Sequence, residues 1–141
     1  MKKILGKIGL IGCGNMGSAI LRGVLENGIA TRSQIVVSDA LSKKSGVLAR
    51  QLRVRSVKSN ADLVEKSSIV LLAIKPQDLK ALSEELNLSA LKGKIIISIL
   101  AGIPCSKLRK AFGSKAIIVR SMPNLGAQVG EAVTAITSTN K

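Results

Sequence analysis

The chain has 141 residues, with 22 lysine and arginine residues against 8 aspartate and glutamate residues and a formal net charge of +14. It contains no histidine and only two widely separated cysteines, which excludes a zinc site with paired ligands and a Ser/His or Cys/His catalytic pair. Hydrophobic residues make up 46% of the chain but aromatic residues only 1%, so we expect a core of Ile, Leu, Val and Ala, typical of buried parallel strands covered by helices.

The charge and hydropathy patterns narrow the possible partners. Lysine and arginine residues are scattered and are not interleaved with aromatic residues that could stack bases, so we expect no nucleic-acid partner and an attraction for phosphate-bearing ligands instead. No apolar run approaches the length of about 20 residues needed to cross a bilayer, and the basic beginning of the chain has too short an apolar segment for a signal peptide. We therefore expect a cytoplasmic protein with no membrane partner.

In chain order, the first predicted unit is a strand, a glycine-rich turn and a helix. The apolar segment Lys7–Gly12 predicts a buried strand, and apolar residues at helical spacing predict a helix over 15–27. Gly28 provides a natural C-terminal stop for this helix. The sequence thus opens with a βα unit.

The same alternation continues along the chain. Apolar runs predict further strands at 34–39, 54–57, 68–74, 94–100 and 115–122, with 131–137 as a possible short edge strand. Helices are predicted at 42–52, 60–65, 76–86 and 105–112. Strands that alternate with helices predict a single α/β domain over residues 1–141, a doubly wound, Rossmann-type sheet that is mostly parallel with helices on both faces. Ligands of such sheets bind at the carboxyl ends of the strands.

Three glycines follow the first strand in a Gly-x-Gly-x-x-Gly spacing. In this context Gly12 permits a tight turn, Gly14 lets the backbone approach a pyrophosphate, and Gly17 allows the helix to pack closely on the strand. The free N–H groups at the helix start would then face the phosphates. The motif predicts a dinucleotide site, and the alternative is a glycine turn that binds nothing.

The end of the second strand bears on the choice of cofactor. Asp39 lies 22 residues after Gly17 and could accept hydrogen bonds from an adenosine ribose, which favours NAD. The same position is surrounded by residues that could hold a 2′-phosphate, which favours NADP: Ser38, Ser42, Lys43 and Lys44. The lysines also suit a solvated helix start. The predicted cofactor is NADP or NAD, with a slight preference for NADPH.

Several further motifs carry a resemblance to a known family. They are "IGCGNMGSAILRG" from Ile11, "VVSD" ending at Asp39, Ser59-Asn60, "AIKPQ" from Ala73, "SILAGI" from Ser98 and "RSMPN" ending at Asn124. Together and in this order, the chain from Lys7 to about Ile136 resembles the amino-terminal domain of pyrroline-5-carboxylate reductase. That family reduces the imine of 1-pyrroline-5-carboxylate to proline with NAD(P)H, so the resemblance implies an oxidoreductase of proline biosynthesis.

The resemblance also implies roles for individual residues. The pyrophosphate would be held by Gly12, Gly14, Asn15, Met16 and Gly17. The adenosine ribose or its phosphate would contact Ser38, Asp39, Lys43 and Asn60. The nicotinamide half would be lined by Ala73, Ile74, Lys75 and Pro76, with Ala101 and Asn124 close to the site of hydride transfer. No catalytic residue is assigned, and Asn124 is the candidate nearest the substrate.

Two differences from the family pattern are expected, one in the residues after Asn124 and one in domain content. The family usually continues Met-Pro-Asn with Thr-Pro-Ala, whereas Leu125-Gly126-Ala127 follows here, which replaces a hydroxyl and a rigid proline. Family members also carry a helical domain that forms a homo-oligomer and supplies most of the imino-acid pocket, and we expect this domain to be absent. The chain alone should then bind the cofactor and catalyse little or nothing.

Two alternatives remain open from the sequence. The first is another NADP-dependent oxidoreductase of the same superfamily, for example one that uses a deazaflavin together with a nicotinamide. The second is a stand-alone nucleotide-binding or interaction module without catalysis, which predicts an exposed apolar patch around Leu125 to Ile136.

Overall fold

Strands and helices alternate throughout the computed structural model, which describes residues 6–124, 126 and 133–138. The strands are β1 (Ile8–Ile11), β2 (Ile35–Ser38), β3 (Arg55–Ser56), β4 (Ile69–Leu72), β5 (Ile95–Ser98), β6 (Ile117–Pro123) and β7 (Thr134–Ser138). The α-helices are α1 (Asn15–Glu26), α2 (Ser42–Leu52), α3 (Asn60–Lys66), α4 (Leu79–Glu85) and α5 (Cys105–Phe112). Every predicted strand and helix is present, with ends that shift by a few residues.

The strands form one sheet in the order β3-β2-β1-β4-β5-β6-β7. The first six are parallel to one another, and β7 runs antiparallel to β6 at the edge. β1 lies between β2 and β4, with Ile8 opposite both Ile35 and Ile69. Because the chain leaves β1 towards one edge and returns through β4 towards the other, a crevice opens between the carboxyl ends of β1 and β4. The doubly wound, Rossmann-type prediction is confirmed.

Helices pack on both faces of the sheet and bury two groups of apolar side chains in the described part of the chain. On one face, α1 contributes Leu21 and α2 contributes Leu48 to a cluster with β1 and β2. On the other face, the cluster includes Leu63 of α3, Leu82 of α4 and Leu108 of α5. As expected from the composition, these cores consist mainly of aliphatic side chains.

The helix ends follow the local sequence. Gly28 has a φ of +63° just after α1, which is the left-handed conformation that stops a helix. The Ser59 hydroxyl accepts a hydrogen bond from the Asp62 N–H at 3.1 Å and caps α3. The predicted helix 76–86 is present as a 3₁₀ turn at Pro76–Asp78 followed by α4. Pro76 suits this first position because its φ is fixed near the helical value and its missing N–H would have no partner there.

The predictions for the chain after β6 are only partly covered by the described residues. The possible edge strand is present as β7, although Glu131 and Ala132 lie outside the described residues. Leu125 and Ala127 also lie outside the described residues. Of the residues that depart from the family pattern, the structure describes Gly126. Within the predicted apolar patch, Val133 and Ile136 are 78% and 70% exposed.

Candidate functional site

The glycine loop lies in the crevice between β1 and β4. Gly12 follows β1 with a φ of +97°, and its N–H donates to the Ser38 carbonyl at 3.0 Å. A Cβ at this position would lie 2.5 Å from the Ala73 carbonyl oxygen, so only glycine fits without moving the backbone of the loop after β4. Gly12 therefore brings the turns that follow β1 and β4 into direct contact.

Gly14 and Gly17 have different surroundings, as the motif predicts. A Cβ on Gly17 would lie 2.7 Å from the Gly12 carbonyl oxygen and 2.9 Å from the Ala73 Cβ, so this glycine lets α1 pack onto the sheet. A Cβ on Gly14 would meet nothing within 4 Å, and this glycine precedes α1 in an extended conformation. The open side of Gly14 leaves room for a ligand to approach the backbone.

The first turn of α1 is suited to an anion. Its N-cap is Gly14, no side chain caps it, and no acidic residue lies in the first turn. The N–H groups at the start of a helix have no partner within the helix, and the helix dipole places positive charge there. Asn15 is exposed and Met16 is half-buried at this end. The arrangement provides backbone donors for a pyrophosphate.

The Asp39 carboxylate joins the glycine loop to the turn after β2. Its Oδ2 accepts a hydrogen bond from the Cys13 N–H at 2.7 Å, and its Oδ1 accepts one from the Leu41 N–H at 2.8 Å. The Cys13 thiol is buried and donates to the Ser38 carbonyl at 3.4 Å. Burial, followed by the negative charge of Asp39, raises the pKa of the Cys13 thiol from its ordinary value of 9.0 to about 12, while the positive charge of Lys44 acts in the opposite direction.

A second hydrogen-bonded chain connects β2, α3 and α4. The buried Ser38 hydroxyl donates to Asn60 Oδ1 at 2.7 Å. Asn60 in turn donates through Nδ2 to Glu85 Oε2 at 2.7 Å, and its main-chain N–H donates to Glu85 Oε1 at 3.2 Å. Ser38 and Asn60, predicted separately as adenosine contacts, are therefore direct neighbours.

A basic cleft of about 800 Å³ runs between α1 and α2 from the glycine loop. Gly14 and Asn15 line one end, and the cations that line it are Arg22, Lys43 and Lys44. None of its lining residues in the described part of the chain is acidic. Arg22 Nη2 donates to Gln51 Oε1 across the cleft at 3.4 Å. Lys43 thus lines the same cleft as Gly14, on a surface whose positive charge favours phosphate.

The predicted nicotinamide residues lie further along the same edge of the sheet. Ala73 follows β4, and its N–H donates to the Ile11 carbonyl at 2.9 Å, so it adjoins the glycine loop. Ile74, Lys75 and Pro76 continue from it, with Lys75 and Pro76 exposed. Ala101 and Asn124 follow β5 and β6, and the parallel topology alone places them at this edge. Asn124 Oδ1 accepts N–H groups from Gly126 at 3.1 Å and Val133 at 3.3 Å, so its carboxamide also holds the β6–β7 connection.

The sequence analysis did not identify two residues that support the site, Gly9 and Glu85. Gly9 lies inside β1, where a Cβ would lie 2.3 Å from Leu63 Cδ2, so it lets α3 pack on the central strand. A glycine inside a strand signals such a close approach. Glu85 carried no comparable signal, because its contact with Asn60 spans 25 residues. In the described ranges, there is no cluster of side chains that could hold a metal ion, and no helix has the length and apolar character of a membrane span.

Comparisons with known proteins agree with the family that the sequence motifs indicate. A sequence model of the family described as "NADP oxidoreductase coenzyme F420-dependent" matches residues 7–102. A pyrroline-5-carboxylate reductase from Methanosarcina acetivorans is 39% identical over 130 residues, which cover 92% of this chain and 48% of that protein. The chain spans about half the length of the curated relatives it matches. The resemblance inferred from the motifs is confirmed.

Solved structures show the same fold. A pyrroline-5-carboxylate reductase from Coxiella burnetii superposes with a TM-score of 0.88 at 27% identity, covering 96% of this chain and 50% of that one. The pyrroline carboxylate reductase of Plasmodium falciparum, solved with NADP bound, superposes with a TM-score of 0.81 at 26% identity, covering 99% of this chain and 50% of that one. The doubly wound fold of this chain is therefore shared with these enzymes.

Proposed function

The chain belongs to the family described as NADP oxidoreductase, coenzyme F420-dependent, and from this membership we propose that it is the cofactor-binding domain of a pyrroline-5-carboxylate reductase. The observation that carries the proposal is the open backbone of Gly14 at the uncapped start of α1, in the crevice where the strand order reverses. The relatives with this name support the choice of enzyme.

The pyrophosphate of the cofactor would lie over the start of α1. The residues proposed to hold it are Gly12, Gly14, Asn15, Met16 and Gly17. The adenosine half would lie towards Ser38, Asp39, Lys43 and Asn60, which hydrogen bonds and the basic cleft bring to one side of the glycine loop. The nicotinamide half would then extend towards the residues after β4, β5 and β6, namely Ala73, Ile74, Lys75, Pro76, Ala101 and Asn124.

We further propose that NADPH is bound in preference to NADH. Both Asp39 oxygens already accept main-chain N–H groups, which partly neutralise the carboxylate that would otherwise repel a 2′-phosphate. The cations of the adjoining cleft supply charge that suits a phosphate. The NADP bound to the Plasmodium falciparum relative supports this choice.

In the proposed reaction, a nicotinamide bound here would supply a hydride to the imine carbon of 1-pyrroline-5-carboxylate, and the ring nitrogen would take up a proton from solvent, which gives proline and the oxidised cofactor. This chain holds the dinucleotide at three places along the sheet edge and so orients the nicotinamide ring. Small side chains at Ala73 and Ala101 leave space for a flat ring to approach the backbone. Because the chain spans about half of its relatives, we propose that the substrate pocket needs residues beyond those described here.

A second candidate function is favoured by the description of the matching family, which names a deazaflavin coenzyme. It is tested by incubating the purified chain and NADPH with 1-pyrroline-5-carboxylate or with the deazaflavin, and measuring proline and reduced deazaflavin. We expect NADPH binding with little or no proline from this chain alone. Steady reduction of the deazaflavin would favour the second candidate, and rapid proline formation would show that the chain carries a complete substrate site.

A further inference from the structure

Glu85 ends α4 and reaches the predicted adenosine side of the site. Its carboxylate accepts two hydrogen bonds from Asn60, one from Nδ2 at 2.7 Å and one from the main-chain N–H at 3.2 Å. We propose that Glu85 is a positioning residue that sets the orientation of the Asn60 carboxamide for the adenosine half of the cofactor. This inference rests on the proposed dinucleotide binding.

The orientation follows from the chemistry of the three groups. An ionised carboxylate only accepts hydrogen bonds, so the Asn60 NH₂ group must face Glu85. Asn60 Oδ1 then faces the buried Ser38 hydroxyl, which donates to it at 2.7 Å. One Nδ2 hydrogen is used by Glu85, and the second is left to donate to a ribose or phosphate oxygen. Without Glu85, the amide could turn over and present its oxygen to the ligand instead.

The charge of Glu85 distinguishes a positioning role from a direct electrostatic one. A negative side chain near an anionic cofactor repels it, so removing that charge should strengthen binding if charge alone matters. Loss of the orienting contact should weaken binding. The two roles therefore predict opposite signs for the same substitution.

The neighbouring residue provides a matched control. Glu84 lies on the same helix, carries the same charge, and is directed to Lys80, with 3.8 Å between Glu84 Oε1 and Lys80 Nζ. It has no contact with Asn60 among the hydrogen bonds of the described residues. Both glutamates are exposed, so neither substitution creates a buried cavity.

The test is calorimetric titration with NADPH of the native chain and of the Glu85→Ala, Glu85→Gln and Glu84→Ala variants. We expect Glu85→Ala to weaken binding about fivefold to tenfold, and Glu84→Ala to leave it unchanged or slightly tighter. Glu85→Gln keeps the shape but adds an NH₂ group opposite the Asn60 donors, so it should also weaken binding. The same loss is expected with 2′-phosphoadenosine diphosphoribose, which lacks the nicotinamide.

A double-mutant cycle separates positioning from a structural effect. In an Asn60→Ala background the main-chain contact with Glu85 remains but the carboxamide is gone, so Glu85→Ala should leave NADPH binding unchanged or slightly tighter, as for Glu84→Ala. An equal loss in both backgrounds, an equal change for Glu84→Ala, or a loss confined to NADPH would overturn the inference. If the native chain binds NADPH and Glu85→Ala matches it, only this inference fails; if the native chain binds no NADPH, the proposed function fails and the inference falls with it.

Discussion

The Cys13 main-chain N–H donates to the Asp39 carboxylate across 2.7 Å, and this bond fixes the glycine loop after β1 to the end of β2. The other Asp39 oxygen holds the Leu41 N–H at 2.8 Å. In many dinucleotide-binding folds an acidic residue at this place reads the ribose hydroxyls. Here both carboxylate oxygens accept main-chain N–H groups, so Asp39 holds the geometry of the glycine loop that we propose for pyrophosphate binding.

Replacing Asp39 should therefore weaken both cofactor forms together. Asp39→Ala removes both acceptors and leaves the Cys13 N–H without its partner, so we expect NADH and NADPH to lose affinity about tenfold in equal proportion. Calorimetric titration of each cofactor measures the ratio, with Asp78→Ala, an exposed residue of the Pro76–Asp78 turn, as the charge-matched control. A loss confined to NADH would show that Asp39 acts mainly on the ribose.

The basic cleft should determine the preference for NADPH. Lys43→Ala combined with Lys44→Ala removes two of the cations that line it, and we expect NADPH affinity to fall about tenfold while NADH affinity changes little. A Lys92→Ala, Lys115→Ala variant removes the same charge at exposed sites outside the cleft. Equal effects of the two double variants on NADPH would contradict a local role.

Two glycines of α1 should respond in opposite directions to alanine. At Gly17 the added Cβ would lie 2.7 Å from the Gly12 carbonyl oxygen, so we expect Gly17→Ala to lower the free energy of unfolding by about 2 kcal/mol. At Gly23 the Cβ would meet nothing within 4 Å, and alanine favours helix, so Gly23→Ala should raise it by up to about 1 kcal/mol. Urea denaturation of both variants measures the difference, and equal stabilities would be inconsistent with the close packing of α1 on β1.

The raised pKa of Cys13 should make stability depend on pH in the alkaline range. The folded chain keeps this thiol protonated to about pH 12, whereas the unfolded chain ionises it near pH 9. Its contribution is therefore complete below about pH 9 and is lost as the pH rises towards 12. Between these limits the native chain should lose more stability than Cys13→Ala, as measured by urea denaturation. Parallel pH profiles of the two proteins would count against the burial of this thiol.

Thiol labelling provides an independent check on the same residue. At about pH 8, a protonated, buried Cys13 should resist alkylation, while the half-buried Cys105 at the start of α5 accepts it. Mass spectrometry of the labelled peptides distinguishes the two cysteines, and a Cys105→Ser variant should label only after unfolding. Rapid labelling of Cys13 in the folded chain would contradict the geometry.

The sequence predicted the parts of the fold that local patterns encode. The apolar run of β4 and the spacing of Gly12, Gly14 and Gly17 each have a local physical cause, and all agree with the structure. Glu85 could not be assigned, because no local pattern marks a glutamate whose partner lies 25 residues away. The hydrogen bond from the Cys13 N–H to Asp39 could not be predicted for the same reason, because it forms only when the turns after two neighbouring parallel strands come together.

The function proposed for this chain depends on the binding of a nicotinamide dinucleotide at the glycine loop. The most direct measurement is calorimetric titration of the native chain, Gly14→Val and Gly23→Ala with NADPH and NADH. Because Gly14 has an extended backbone and open space around it, valine should leave the fold intact and obstruct only the pyrophosphate. We predict that the native chain and Gly23→Ala bind NADPH more tightly than NADH, and that folded Gly14→Val binds neither. Equal binding by Gly14→Val, or no binding by the folded native chain, would contradict dinucleotide binding at the glycine loop.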